Sequence, residues 1–229
     1  MEIVSKIAFR KILFSVIALI IILFLQPVLT GMYIRLYAIP VTPKLFLFTR
    51  LFYWVLALGI WQYAKKIEKQ PILLWKEQKY DFIFYLISIV LIFISVILSV
   101  SIIRIVCHFF HVDIKSETLE NAIRMFKAHR YLAVFAALTA GVTEELIFRG
   151  YLQPRLEVLF KNPYVAIFVS SAIFGLLHFG FGTIINMVGP FVIGLIYAIY
   201  YQKYRNIKVL MISHFLWDMI VIFISINRY

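Results

Sequence analysis

The run FIFYLISIVLIFISVILSVSII, residues 82–103, contains no charged side chain. An α-helix of about 20 apolar residues crosses the hydrocarbon core of a bilayer, so this run predicts a membrane-spanning helix. Comparable apolar runs recur along the chain, and the period-two alternation of membrane β-strands is absent. We therefore predict an all-α, polytopic membrane protein with about seven transmembrane helices (about six to eight). The expected spans are about 9–27, 45–64, 81–106, 131–157, 164–181, 186–202 and 207–226.

The composition supports this fold class and excludes others. Of the 229 residues, 63% are hydrophobic and 15% are charged, which leaves too little polar surface for a water-soluble domain. The net charge of +12 does not indicate nucleic-acid binding, because the basic residues separate apolar runs rather than covering one face. Cys107 is the single cysteine, so no intrachain disulfide and no cysteine zinc site is possible. No repeat or linker is visible, and one membrane domain over 1–229 is expected.

The distribution of basic residues also predicts how the chain is oriented in the membrane. The first apolar run lacks a small-x-small cleavage site and is interpreted as a retained helix, which favours a multi-pass protein of a bacterial-type plasma membrane. Short cytoplasmic loops are enriched in Lys and Arg, which favours a cytoplasmic N-terminus and an external C-terminus. Segment 111–130 is then an external amphipathic segment. The cytoplasmic set is Lys6, Arg10, Lys11, Lys65, Lys66, Lys69, Lys76, Lys79, Arg155, Lys161, Lys203, Arg205 and Lys208; the external set is Arg35, Lys44, Lys115, Arg124, Lys127, Arg130 and Arg228.

Charged residues inside the fourth predicted span are the strongest functional signal. The segment TEELIFR, residues 143–149, places two carboxylates and a guanidinium where each charge costs several kcal/mol. Residues four apart share a helix face, so Glu145 is expected to pair with Arg149 while Glu144 points elsewhere. A carboxylate without a cation suits a general base. The alternative is that Glu144, Glu145 and Arg149 form only a buried ion pair between helices.

Two histidine motifs follow at helical spacing. Phe174 and His178 are four residues apart, and Gly175 between them lets a neighbouring helix approach closely. His214 and Asp218 are also four apart, so Asp218 is expected to accept the N–H of His214 and fix its tautomer. The structural alternatives are a satisfied core histidine and a His–Asp pair that only joins helices.

The depths of these residues place them in one layer of the membrane. At about 1.5 Å per residue, Glu144 and His178 lie roughly 20 Å from the cytoplasmic ends of their helices, and His214 and Asp218 roughly 10 to 15 Å. We therefore expect them to converge on one cavity. Other polar residues receive no role: Arg50 and Arg104 can snorkel, His108, His111 and Asp113 lie at the outer interface, and Asn186 suits a helix start.

Together the motifs resemble the CAAX-protease and bacteriocin-processing (CPBP, or Abi) family of intramembrane proteases. The resemblance covers the C-terminal part, a motif-bearing core at about 131–226, and residues 1–130 match in hydrophobic character only. It implies that Glu144 activates water with His178, and that Glu145 and Arg149 support the site. It further implies that Phe174 packs beside the site and that His214 and the residue at 218 stabilise the oxyanion.

This sequence departs from the family by having Asp218 where Asn is typical. An ionised Asp cannot donate to an oxyanion, so either Asp218 is protonated or it only orients a cationic His214. The change also leaves a metal alternative open, with Zn²⁺ held by Glu144, His178, His214 and Asp218. Because no His-x-x-x-His pair is present, catalysis without a cofactor is the leading expectation.

The leading hypothesis is therefore an intramembrane endopeptidase of the glutamate or metallo type, acting on a small membrane-associated peptide or protein tail. The Ile-, Phe- and Lys-rich composition is typical of a low-GC bacterium, which favours bacteriocin or pheromone maturation, or bacteriocin self-immunity. The expected partners are the lipid bilayer and the peptide substrate, without nucleic acid. The alternatives are a non-catalytic immunity or regulatory protein and a proton-coupled transporter.

Overall fold

The structure, a computed structural model, describes residues 6–38 and 41–228, and for residues 6 and 7 only the backbone. The described residues form helices and connecting loops, without a β-strand among them. Residues 1–5 and 229 lie outside the described part. The predictions of a cytoplasmic N-terminus and an external C-terminus concern these chain ends. The α-helices are α1 (Lys6–Leu36), α2 (Pro43–Tyr63), α3 (Phe82–Phe109), α4 (Glu117–Ala128), α5 (Arg130–Thr139), α6 (Gln153–Phe160), α7 (Pro163–Leu176), α8 (Ile185–Tyr204) and α9 (Ile207–Arg228).

Seven helical segments of the described chain are long and apolar enough to cross a membrane, which confirms the predicted number and fold class. The first segment is longer than expected, because α1 continues through Pro27 to Leu36 instead of ending near residue 27. Proline is tolerated inside spanning helices, where neighbouring groups satisfy the freed backbone. The connection between the predicted spans 164–181 and 186–202 is short: a 3₁₀ turn, Leu177–Phe181, is followed by Gly182, and α8 begins at Ile185 with Pro190 inside it.

The fourth spanning segment, Arg130–Phe160, is the central helix of the bundle. Of the 18 most apolar consecutive residues of this segment, 56% are buried, whereas the corresponding share in each of the other six segments is at most 39%. It combines α5, two π-helical stretches, Ala140–Glu144 and Leu146–Leu152, and α6. We call this composite helix the central helix. Its burial means that charged residues on it face protein rather than lipid.

The π-helical winding departs from the regular helix that the sequence predicts. The Thr143 hydroxyl donates a 2.7 Å hydrogen bond to the Thr139 carbonyl oxygen, and the Thr139 hydroxyl accepts one of 3.0 Å from Trp54 Nε1 on α2. A threonine hydroxyl bonded four residues back competes for the carbonyl that an α-helical N–H would use. Such π-helical turns are frequent at functional sites, and this one contains Glu144.

Two glycines bring the site-bearing helices close together. A Cβ at Gly141 would lie 2.8 Å from the Phe215 backbone nitrogen, so the central helix approaches α9 where only a glycine fits. A Cβ at Gly175 would lie 2.8 Å from the Met187 carbonyl oxygen, which confirms the predicted close approach of a neighbouring helix, here α8.

A buried ion pair joins the N-terminal helices to the central helix. Glu68 follows α2 in a π-helical turn, and its Oε2 lies 2.5 Å from Arg155 Nη2. Ser15 of α1 and Tyr151 donate to the same carboxylate at 2.9 and 2.8 Å. Arg155 lies in α6 and is fully buried, so it is not a residue of a connecting loop. Its role is to bind α1, α2 and α6 together.

Segment 111–130 contains a short amphipathic helix, as the sequence indicates. In α4, Ile123 and Phe126 are buried against α5 and the end of α9, while Glu117, Arg124 and Lys127 are exposed. Ser116 caps this helix and also donates a 2.6 Å hydrogen bond to the Phe181 carbonyl oxygen. The segment thus covers the end of the bundle nearest the 3₁₀ turn that carries His178.

Candidate active site

Glu145 and Arg149 form the expected ion pair on the central helix. Arg149 Nη1 lies 2.9 Å from Glu145 Oε1, and both side chains are at most 1% exposed. Arg149 Nη2 donates a second hydrogen bond, of 3.2 Å, to the Gly194 carbonyl oxygen on α8. The guanidinium therefore fixes Glu145 and also ties the central helix to α8.

Aromatic rings enclose this ion pair. The Arg149 guanidinium carbon lies 4.6 Å from the ring centre of Phe174 and 5.6 Å from that of Tyr197. A cation is attracted to the face of such rings when both are shielded from water. The Phe174 ring also contacts His178, at 5.0 Å between ring centres, and His214, at 6.3 Å. Phe174 thus touches both histidines and the arginine.

His214 lies at the centre of the cluster and contacts three carboxylates. Its Nδ1 is 2.8 Å from Glu145 Oε1, a hydrogen bond in which the imidazole N–H donates. Its Nε2 is 3.7 Å from Asp218 Oδ2 and 4.0 Å from Glu144 Oε2. Because both of these distances exceed a hydrogen bond, the prediction that Asp218 fixes the His214 tautomer is wrong. Instead, Glu145 of the central helix accepts the Nδ1–H of His214 and fixes the tautomer of the imidazole.

Glu144 differs from its neighbour in having no hydrogen bond to any described residue. Its closest described charged partner is His214, at 4.0 Å, and its side chain remains 15% exposed, while that of Glu145 is fully buried. The two adjacent carboxylates therefore have different surroundings. Glu145 is held by a cation and an imidazole, and Glu144 has free oxygen atoms beside them.

His178 lies in the 3₁₀ turn that follows α7. Its Nδ1 is 2.8 Å from the Phe174 carbonyl oxygen, to which it donates in the neutral tautomer, so its Nε2 carries the lone pair. His178 also interacts electrostatically with Glu144 and His214. The structure therefore brings all seven candidate residues together, as their shared depth predicts.

Two residues beside the cluster were not predicted from the sequence to belong to it. Tyr197 of α8 packs edge-on against His214, with ring centres 5.7 Å apart. Arg50 of α2 interacts electrostatically with His178 and Asp218, and its buried Nε has no hydrogen-bond partner among the described residues. The sequence assigns Arg50 no role in the site, and these interactions make it a candidate. Its charge in the second span was the only available indication.

The remaining polar candidates lie elsewhere. Arg104, His108, His111 and Asp113 are exposed at or beyond the end of α3. Asn186 lies in the first turn of α8, whose cap is Ile184. Among the described residues, no group of three or more His, Cys, Asp or Glu side chains is arranged to hold a metal ion. The four candidate zinc ligands are close together but do not form such a group.

Fold and site together define a polytopic membrane protein with a carboxylate–histidine cluster buried between its helices. Residues 127–220, less than half of the chain, match the family described as type II CAAX prenyl endopeptidase Rce1-like. This segment is therefore similar to a family of membrane-embedded proteases, and the resemblance indicated by the three motifs is confirmed. No curated protein and no solved structure matches the chain.

Proposed function

We propose that the protein is an intramembrane endopeptidase in which Glu144 activates water for peptide-bond hydrolysis. The observation that carries the proposal is the unequal state of the two adjacent carboxylates. Glu145 Oε1 accepts hydrogen bonds from Arg149 and His214, whereas Glu144 has no hydrogen bond to a described residue and its Oε2 lies 4.0 Å from His214 Nε2. A general base needs free lone pairs within reach of the proton that it removes, and Glu144 has them.

The proposed reaction assigns one role to each group. Glu144 accepts a proton from water, and the water oxygen attacks the carbonyl carbon of the scissile bond. His178 Nε2 accepts the second water hydrogen bond. His214, protonated at both nitrogens, keeps Nδ1–H on Glu145 and donates Nε2–H to the oxyanion that forms. Collapse of the tetrahedral intermediate breaks the C–N bond, and Glu144 returns its proton to the leaving amine.

Arg149 and Phe174 are positioning residues in this mechanism. Arg149 holds Glu145 by one hydrogen bond and α8 by another, and Phe174 packs against Arg149 and both imidazoles. No step requires a metal ion or an organic cofactor. The chemistry is carried by side chains of the central helix, α7 and α9.

The proposed substrate is a small membrane-associated peptide or protein tail. The site lies between spanning helices, so the scissile bond must enter the bundle to reach Glu144. We assign the protein to the plasma membrane of a bacterium, with a cytoplasmic N-terminus and an external C-terminus. Maturation of a bacteriocin or peptide pheromone, or self-immunity to a bacteriocin, fits a substrate of this kind.

Mass spectrometry of membrane peptides provides the test. Cells producing the wild-type protein, Glu144→Ala or the control Glu120→Gln are compared at equal protein levels, since Glu120 is a half-buried residue of α4 outside the cluster. Cleavage products are expected in the wild type and the control and absent in Glu144→Ala. Unchanged products in Glu144→Ala would refute the proposal.

A single turnover in H₂¹⁸O, with the label read in both the product and Glu144, distinguishes direct attack by water from an acyl intermediate that water hydrolyses at the glutamate carbon. Direct attack by water places one ¹⁸O atom in the new C-terminal carboxylate. Such an intermediate on Glu144 would instead deliver an unlabelled oxygen from the glutamate in the first turnover.

A non-catalytic immunity or regulatory partner is the second candidate, and Asp218 favours it. Asp218 Oδ2 lies 3.7 Å from the nitrogen that the mechanism uses as the oxyanion donor, and an ionised carboxylate there opposes the negative charge that develops. In this alternative, Glu144→Gln leaves the cellular phenotype intact and no peptide changes. Loss of the phenotype in Glu144→Gln, with partner binding retained, would exclude it.

A further inference from the structure

An apolar groove runs along α2 beside the central helix. It encloses about 380 Å³, and its walls include Trp54, Ala57 and Leu58 of α2 and Val142, Thr143 and Leu146 of the central helix. The polar atoms of its walls are engaged: Trp54 Nε1 donates to the Thr139 hydroxyl, and the Thr143 hydroxyl donates to the Thr139 carbonyl oxygen. The groove therefore presents hydrocarbon alone.

The groove continues into a basic mouth at the end of α2. This second hollow encloses about 500 Å³, shares Trp61 and Ile72 with the groove and adds Lys65, Lys69 and Gln70. Lys65 Nζ lies 5.4 Å from the centre of the Trp61 ring. Neither lysine has a carboxylate within 4.0 Å among the residues that the structure describes. The mouth thus has two exposed cations without a protein anion.

We propose that this groove binds an anionic phospholipid, with one acyl chain in the apolar part and the phosphate between Lys65 and Lys69. An apolar channel that ends in unpaired cations is complementary to a molecule with a hydrocarbon tail and an anionic head. Basic pockets between spanning helices bind anionic lipid headgroups for this reason. Its lining residues include none of the carboxylate–histidine cluster, and the proposal does not depend on peptidase activity.

The chemistry of the groove favours an acyl chain over a peptide. A peptide in a dry groove carries N–H and C=O groups that need partners, and each unsatisfied group costs several kcal/mol in hydrocarbon. The walls offer none, because Trp54 and Thr143 are already bonded within the protein. A bound chain would contact Thr143 and Leu146, the residues on either side of Glu144 and Glu145.

Lipid binding to purified, delipidated protein tests the proposal. Native mass spectrometry measures the retention of phosphatidylglycerol and phosphatidylcholine by the wild type, by Lys65→Gln/Lys69→Gln and by Leu58→Trp, which fills the groove from its exposed wall. Lys76→Gln/Lys79→Gln is the matched control, because it removes the same charge from the neighbouring loop, outside the mouth. Both double variants keep the catalytic cluster intact.

The wild type and the control are expected to retain one phosphatidylglycerol in preference to phosphatidylcholine. Lys65→Gln/Lys69→Gln is expected to lose this preference by about tenfold or more. Leu58→Trp is expected to lose retention of both lipids. Equal loss in the control variant would show a general surface attraction and would overturn the proposal. So would full displacement of phosphatidylglycerol by millimolar inorganic phosphate, because a free-anion site would then suffice.

Discussion

The adjacent glutamates are expected to respond in opposite ways to the same substitution. Glu145→Gln leaves the Arg149 guanidinium buried without its counter-ion, and breaking such a pair costs about 3–5 kcal/mol. Glu144→Gln removes no hydrogen bond to a described residue, so its cost is expected to stay below about 1 kcal/mol. For a chain of this length, 1 kcal/mol shifts Tm by roughly 2–4 °C. Glu145→Gln should therefore lower Tm by roughly 6–20 °C, and Glu144→Gln by only a few degrees.

Activity should show the reverse distinction once it is corrected for the folded fraction. Loss of a general base is expected to reduce kcat roughly 100- to 10,000-fold in Glu144→Gln. Thermal unfolding in detergent, followed by tryptophan fluorescence, and cleavage of an identified substrate measure the two effects in the same preparations. Glu120→Gln controls for the loss of a carboxylate outside the cluster and should change neither quantity.

Two outcomes would refute this division of roles. If Glu144→Gln lowered Tm as much as Glu145→Gln, the first carboxylate would be structural as well. If Glu144→Gln cleaved at the wild-type rate, the base would be another group.

Four further outcomes are expected. Asp218→Asn should retain cleavage within about tenfold, because Glu145 and not Asp218 holds His214; a loss as large as that of Glu144→Gln in kcat would contradict this. Arg155→Ala should lower the free energy of unfolding by about 3–5 kcal/mol, as it strands the buried Glu68 carboxylate, and thermal unfolding that matched the wild type would disprove it. Treatment with a zinc chelator should leave cleavage unchanged, and a loss that added Zn²⁺ restores would favour the metal alternative. Arg50→Gln should reduce cleavage less in an Asp218→Asn background than alone, since it removes a positive charge that offsets Asp218; additive effects in the double-mutant cycle would argue against coupling.

The spans could be predicted because each depends on the apolar character of its own residues. The apolar run at residues 82–103 is sufficient by itself to predict a spanning helix, and in the structure α3 extends from Phe82 to Phe109. The motifs were visible for the same local reason: residues four apart share a helix face, as Glu145 and Arg149 do. What remained hidden are contacts between residues distant in the chain.

The error at Asp218 illustrates this limit. The spacing correctly placed Asp218 near His214, but it could not show that Glu145, 69 positions earlier, approaches the imidazole more closely. The pairing of Glu68 with Arg155 joins residues 87 positions apart and was equally invisible. Arg50 was missed because a snorkelling arginine and one directed into a cluster look identical in sequence.

Arg149 decides which of the two glutamates is free. Consecutive helical residues point about 100° apart, so a cation on the face of Glu145 cannot serve Glu144 equally. Arg149 reaches Glu145 with one nitrogen and the Gly194 carbonyl with another, while its guanidinium carbon lies 4.6 Å from the centre of the Phe174 ring. A lysine has one compact ammonium group and cannot reproduce this planar, forked geometry. Replacement of Arg149 therefore leaves Glu145 held by His214 alone, and the two adjacent carboxylates would then differ less in how firmly they are fixed.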